Sequence, residues 1–103
     1  MPKVVRIGDS LSTGHGCTGT TTLASSNQGV NNVYANGILI CVEDAPTVGH
    51  AFPPDPPCAA HTAKLNTGSA TVKINNIKVG RHGDSADAGS MNEPAGVTVY
   101  AGP

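Results

Sequence analysis

The strongest constraint on how this chain can fold is that it repeats itself. Asp9-Ser-Leu-Ser-Thr-Gly14-His15 and Asp44-Ala-Pro-Thr-Val-Gly49-His50 share one pattern: Asp, two variable residues, Ser or Thr, one variable residue, then Gly-His. A third copy, Asp84-Ser-Ala-Asp-Ala-Gly89-Ser90, keeps the Asp and the Gly but has Ser where His stood. A second element recurs in step: Asn32-Val-Tyr-Ala-Asn-Gly37, Thr71-Val-Lys-Ile-Asn-Asn76 and Thr98-Val-Tyr-Ala-Gly102. Each is a short β-prone run ending in Asn or Gly, which tolerate the positive φ of a tight hairpin turn. Return strands follow two of these turns, Ile38 to Asp44 and Ile77 to Asp84, and Val4-Val-Arg-Ile-Gly-Asp9 is the same return strand without its partner. The pattern predicts two full hairpin units, opened by a half unit and closed by another, with the middle copy one residue short.

With 103 residues there is room for one domain, spanning 1–103. The rings are Phe52, Tyr34 and Tyr100, with no Trp, so the core cannot be built around large aromatic side chains. Thirteen Gly and eight Pro favour a turn-rich, all-β protein, and no window shows apolar residues at helical spacing with capping signals. Thr18 to Asn31, rich in Ser, Thr, Asn and Gly, reads as a loop. Phe52-Pro-Pro-Asp-Pro-Pro57 reads as a stiff, extended link. A net charge of −1 without a run of either sign argues against nucleic acid as a partner. Met1-Pro2-Lys3 is not followed by an apolar run of signal-peptide length, which argues against general secretory export. Three cysteines, an odd number without such a signal, argue against a disulfide framework and for a metal thiolate.

His50 is followed by Cys58 and His61, and His15 is its partner in the repeat. Three imidazoles and one thiolate form a ligand set that suits a structural zinc ion, with iron as the alternative metal. Closing such a site would supply folding energy to a domain poor in large core residues. Cys17, two residues after His15, competes as the thiolate, whereas Cys41 in an apolar strand reads as a buried small residue. His82 reads as structural or exposed. Asp9, Asp44 and Asp84 read as turn formers that accept backbone N–H bonds, rather than as catalytic carboxylates.

These residues resemble the PAAR-repeat family, the spike tips of contractile injection machines. The family pattern of a strand, Asn-Gly, a return strand ending Arg-x-Gly-Asp and then a metal-binding Cys or His is matched by Arg6-Ile-Gly-Asp9, Asn36-Gly37, Asn75-Asn76 and Arg81-His-Gly-Asp84. The name-giving tetrapeptide is absent, with Leu39-Ile-Cys-Val42 and Lys78-Val-Gly-Arg81 in its place, and the middle copy ends Val42-Glu-Asp44. The resemblance implies a small cone of β-hairpins with pseudo-threefold symmetry and a zinc held near its apex by three His and one Cys, matched in number and type by His15, His50, Cys58 and His61. It implies a base seated on a trimeric β-helical spike, one tip per trimer, with Val33, Val72 and Val99 as candidates for core or base. The tip would be driven through the target outer membrane without catalysis. With almost nothing beyond the repeats, the chain looks like a plain tip of a phage tail central spike, assembled in the bacterial cytoplasm and carried in the virion. A type VI secretion spike tip is the alternative within the family, and an effector cargo is left open. The rivals from other classes are a small zinc hydrolase, which would keep a ligand position open for water, and a zinc-stabilised adaptor, which would stay apart from a trimeric β-helix.

Overall fold

A computed structural model describes residues 2–29, 33–52 and 59–102. Those residues form short strands and no helix. In chain order the strands are β1 (Ser10–Ser12), β2 (Thr20–Thr22), β3 (Tyr34–Ala35), β4 (Ile38–Leu39), β5 (His50–Phe52), β6 (Ala59–His61), β7 (Lys73–Ile74), β8 (Ile77–Lys78), β9 (Ser85–Ala86) and β10 (Gly89–Met91). Asn36-Gly37 and Asn75-Asn76 take φ values of 52, 84, 54 and 64°. Two-residue turns of that hand match the twist of the flanking strands, so β3 folds back on β4 and β7 on β8. The third such hairpin is made by the two ends of the chain. Tyr100 pairs with Lys3 as Tyr34 pairs with Leu39 and Lys73 with Lys78, so the two half units read from the repeat complete each other.

The three return segments meet in a closed ring of backbone hydrogen bonds. Val5 N–H donates to Gly80 O (3.0 Å), Gly80 N–H to Cys41 O (2.9 Å) and Cys41 N–H to Val5 O (2.9 Å). The neighbouring residues follow the same cycle, through bridges from Val4 to Arg81, Arg6 to Ile40 and Val42 to Val79. Each return segment is also tied to its own preceding run: Val4, Ile40 and Val79 donate to the carbonyls of Val99, Val33 and Val72. Side chains on the two sides of the ring form two core clusters. Val4, Ile40, Val42, Val79, Ala35, Ile74, Val97 and Ala101 lie toward the hairpins. Val5, Cys41, Leu11, Leu23, Leu65, Met91, Ala45 and Ala86 lie on the other side.

The cyclic pairing also corrects the alignment of the middle copy. Asp9, Ala45 and Asp84 each donate their N–H to the residue three before, Arg6, Val42 and Arg81. The residue preceding each has positive φ: Gly8 at 87°, Asp44 at 73° and Gly83 at 87°. Asp44 therefore stands in the place of the turn glycines and Ala45 in the place of the aspartates, so the return segment of the middle copy is of full length and the missing residue falls between Ala45 and Gly49. The outer copies close this turn with charge: Asp9 and Asp84 accept the backbone N–H of Arg6 and Arg81 (2.6 and 2.8 Å), and the guanidinium groups fold onto the same carboxylates. Arg6 and Arg81 then donate to the carbonyls of Ala35 and Gly102, tying the turn to the hairpin below. In the middle copy Val42 and Ala45 are buried in the core instead, and Asp44 is an exposed partner of Lys64. An apolar pair of this kind replaces a buried ion pair without leaving either charge unpaired.

The segment expected as a loop, Thr18 to Asn31, contains β2, which pairs with β1, and Leu23 within it is buried. Its threonines are strand formers that the turn-like composition obscured. On the far side of the ring β2, β1, β10 and β9 make one sheet, in that order.

Gly80 sits where the first two copies place Val5 and Cys41. A methyl group there would lie 2.3 Å from the Leu65 side chain and 2.8 Å from that of Val5. Gly80→Ala is expected to cost at least about 1–3 kcal/mol, as overpacking does, with the loss read as a lowered midpoint in chemical denaturation.

Candidate metal centre

Beyond the second core cluster the strands bring four polar side chains together: His15, His50, His61 and Asp87, which each offer one potential ligand atom within 4.8 Å of the others. Each arrives by a separate local device. His50 and His61 face each other across the β5–β6 pair, which places their rings edge to face at 4.6 Å. His15 comes from the connection between β1 and β2, and its ring stacks on His50 at 5.2 Å, within 6° of parallel. Asp87 opens the β9–β10 turn at φ 55°, a left-handed position that Asp accepts more readily than most residues. The arms carrying His15 and Asp87 approach closely because Gly14 and Gly89 lack side chains. A Cβ on Gly14 would lie 2.2 Å from the Ala88 carbonyl oxygen, and one on Gly89 2.1 Å from that of Ser12.

One carboxylate oxygen is the centre of the cluster. Asp87 Oδ2 lies 2.8 Å from His15 Nε2, 2.8 Å from His50 Nε2 and 3.3 Å from His61 Nε2. The other ring nitrogens of two of these histidines are held by the backbone, since His15 Nδ1–H donates to Gly16 O (2.9 Å) and His50 Nδ1–H to Val48 O (2.8 Å). That orientation turns both Nε2 atoms inward, as second-sphere bonds do for ligating histidines. A neutral imidazole donating from Nδ1 has only a lone pair at Nε2. Two lone pairs and a carboxylate facing each other require a cation among them, either a proton on a ring or a metal ion.

The residues fit a metal ion. A tetrahedral ion with ligands at about 2.0–2.1 Å has ligand-to-ligand edges of roughly 3.3 Å. His15 Nε2 to His50 Nε2 is 3.3 Å, and His61 Nε2 lies 3.3 and 3.4 Å from the two carboxylate oxygens of Asp87, while the 2.8 Å approaches of His15 and His50 to Asp87 Oδ2 are shorter than such an edge. The cluster could therefore hold a metal ion, and its donor types do not by themselves fix which one.

Of the predicted ligands, the structure brings His15, His50 and His61 together; Cys58, like Pro53–Pro57, lies outside the described residues. Cys17 is disulfide-bonded, against the expectation that a chain of this cysteine count forms no disulfide, and so it supplies no thiolate to this cluster. Cys41 is a free, buried thiol, pushed up to about 12 first by burial and then by the charge of Asp9. His82 is exposed, as expected. Asp87 is the member that sequence reading missed. It sits in the third copy of the repeat, the copy without a His, two residues before the recurrent Gly, where a carboxylate is the remaining ligand type.

No protein-family model matches the chain, and no curated protein matches it as a relative.

Without metal, protons must fill the cluster. His15 is raised above its ordinary value by its bond to the Gly16 carbonyl, against the opposing effect of burial and with the help of Asp87. Burial pushes Asp87 up, but bonds from His15, His50 and His61 outweigh it and hold the carboxyl below its usual range. A folded-state value raised above the unfolded one contributes stability that is full below about pH 6.5 and is lost as pH rises through the folded value. The chelator-treated protein is thus expected to melt at a lower temperature at pH 8 than at pH 6. The metal-loaded protein should not show this loss, because ligands must be free of protons to bind metal.

Proposed function

We propose that the protein is a spike tip of a contractile injection machine, a PAAR-like cone that caps a trimeric β-helical spike and is driven through the target cell's outer membrane when the sheath contracts. The observation that carries this reading is the face on the hairpin side of the ring. Val33, Val72 and Val99, one from each copy, are 40, 39 and 38 % exposed. Together with Val4, Ile40 and Val79 they line one shallow apolar hollow. Tyr100 and Lys73 also line it, and Tyr34, at the corresponding place in its own hairpin, is exposed.

Exposed apolar surface gathered in one patch marks an interface, and a three-way patch suits a partner with three chains meeting on an axis. At the opposite side of the ring, where the strands run past the second core cluster, a metal ion, zinc or alternatively iron, would replace apolar packing as the element that holds the arms together. A cone with a rigid metal-held apex and a sticky base concentrates force without any catalytic step. The best setting is the central spike of a contractile phage tail, with the tip resident in the virion; a type VI secretion spike uses the same physics.

The test is to mix the protein with purified trimeric β-helical spike domains from contractile phage tails and from type VI machines, and to measure the mass of the product by light scattering. One chain bound per trimer is expected for at least one spike. Val72→Glu should weaken that complex at least tenfold while leaving the melting temperature within a few degrees, since Val72 is already half exposed. A wild-type protein that stays separate from every such trimer would overturn the reading.

A further inference from the structure

We infer that Asp87 is a metal ligand, so that the site is a three-histidine, one-carboxylate centre needing no thiolate. The inference rests on the metal reading of the cluster and not on the spike-tip reading. Three independent features converge on it. The carboxylate oxygen lies 2.8 Å from each of the two inward-turned Nε2 atoms. Its side chain is 5 % exposed and its close polar neighbours in the cluster are imidazoles, so a buried negative charge stands where a cation is required. Two of the three cysteines cannot serve: Cys17 is in a disulfide, and Cys41 lies in the second core cluster.

The assignment also explains how the third arm takes part. The first arm gives His15, the second His50 and His61, and the third offers Ser90 where the repeat has His. With Asp87 as ligand each arm contributes, so one ion joins all three. A three-nitrogen, one-oxygen set is harder than one containing sulfur and takes borderline divalent ions such as Zn²⁺, Co²⁺ and Fe²⁺.

Cobalt substitution of the full chain reads the ligands directly, because a thiolate gives an intense sulfur-to-cobalt charge-transfer band in the near ultraviolet that nitrogen and carboxylate ligands lack. The wild type is expected to bind one Co²⁺ with visible bands of a four-coordinate ion and no sulfur band. Asp87→Ala should lose at least tenfold in Co²⁺ affinity, with circular dichroism checking that it remains folded. If it does not fold, Asp87→Cys decides: it should gain the sulfur band that the wild type lacks. A sulfur band in the wild type would overturn the assignment to Asp87 while keeping the metal site. Absence of any bound Co²⁺ and Zn²⁺ would overturn the metal reading itself, and neither outcome bears on whether the base binds a spike.

Discussion

The structure depends on a closed loop of three hydrogen bonds. Because Val5, Cys41 and Gly80 each donate to one neighbour and accept from the other, none of the three return segments is an edge, and no segment can slip in register without breaking its bonds to both others. The strands are two or three residues long, far too short to be stable in pairs. Cyclic closure lets such short pieces support one another. It also restricts the centre: two side chains fit there and a third does not, which accounts for a glycine in one copy out of three.

Polar chemistry is divided between two levels of the molecule. Around the ring, charge is neutralised locally, with Arg6 on Asp9 and Arg81 on Asp84, and the middle copy has buried Val42 and Ala45 in place of that pair. Past the second core cluster, one carboxylate faces three imidazoles whose orientation is set by backbone carbonyls. The first arrangement is complete in itself. The second holds together only around a cation, and the strands that build it carry little apolar surface of their own.

Much of the fold was legible in the sequence because turn chemistry is local. Asn36-Gly37 and Asn75-Asn76 announced their hairpins, and the repeat announced a half unit at each end, though not that the two would pair. The alignment of the middle copy was misread because Asp44 looked like its counterparts by identity, whereas backbone conformation matched it to Gly8 and Gly83. Asp and Gly both tolerate positive φ, and only the hydrogen bonds distinguish the two placements. At the metal centre the histidines were visible as a recurring Gly-His. Asp87 was not, since its role arises from a turn on a different arm that reaches the same point in space. β2 was hidden for a similar reason: its pairing partner, and not its own composition, makes it a strand.

The hairpin shared between Lys3 and Tyr100 means that the fold is a circle with one nick, and the nick lies at a place where the other two copies have a two-residue turn. Topologically the three turns are interchangeable. A circular permutant that joins residue 102 to residue 2 through a short Asn-Gly linker and opens between Asn36 and Gly37 would keep every backbone bond of the ring, and would move the free ends a third of the way around the molecule.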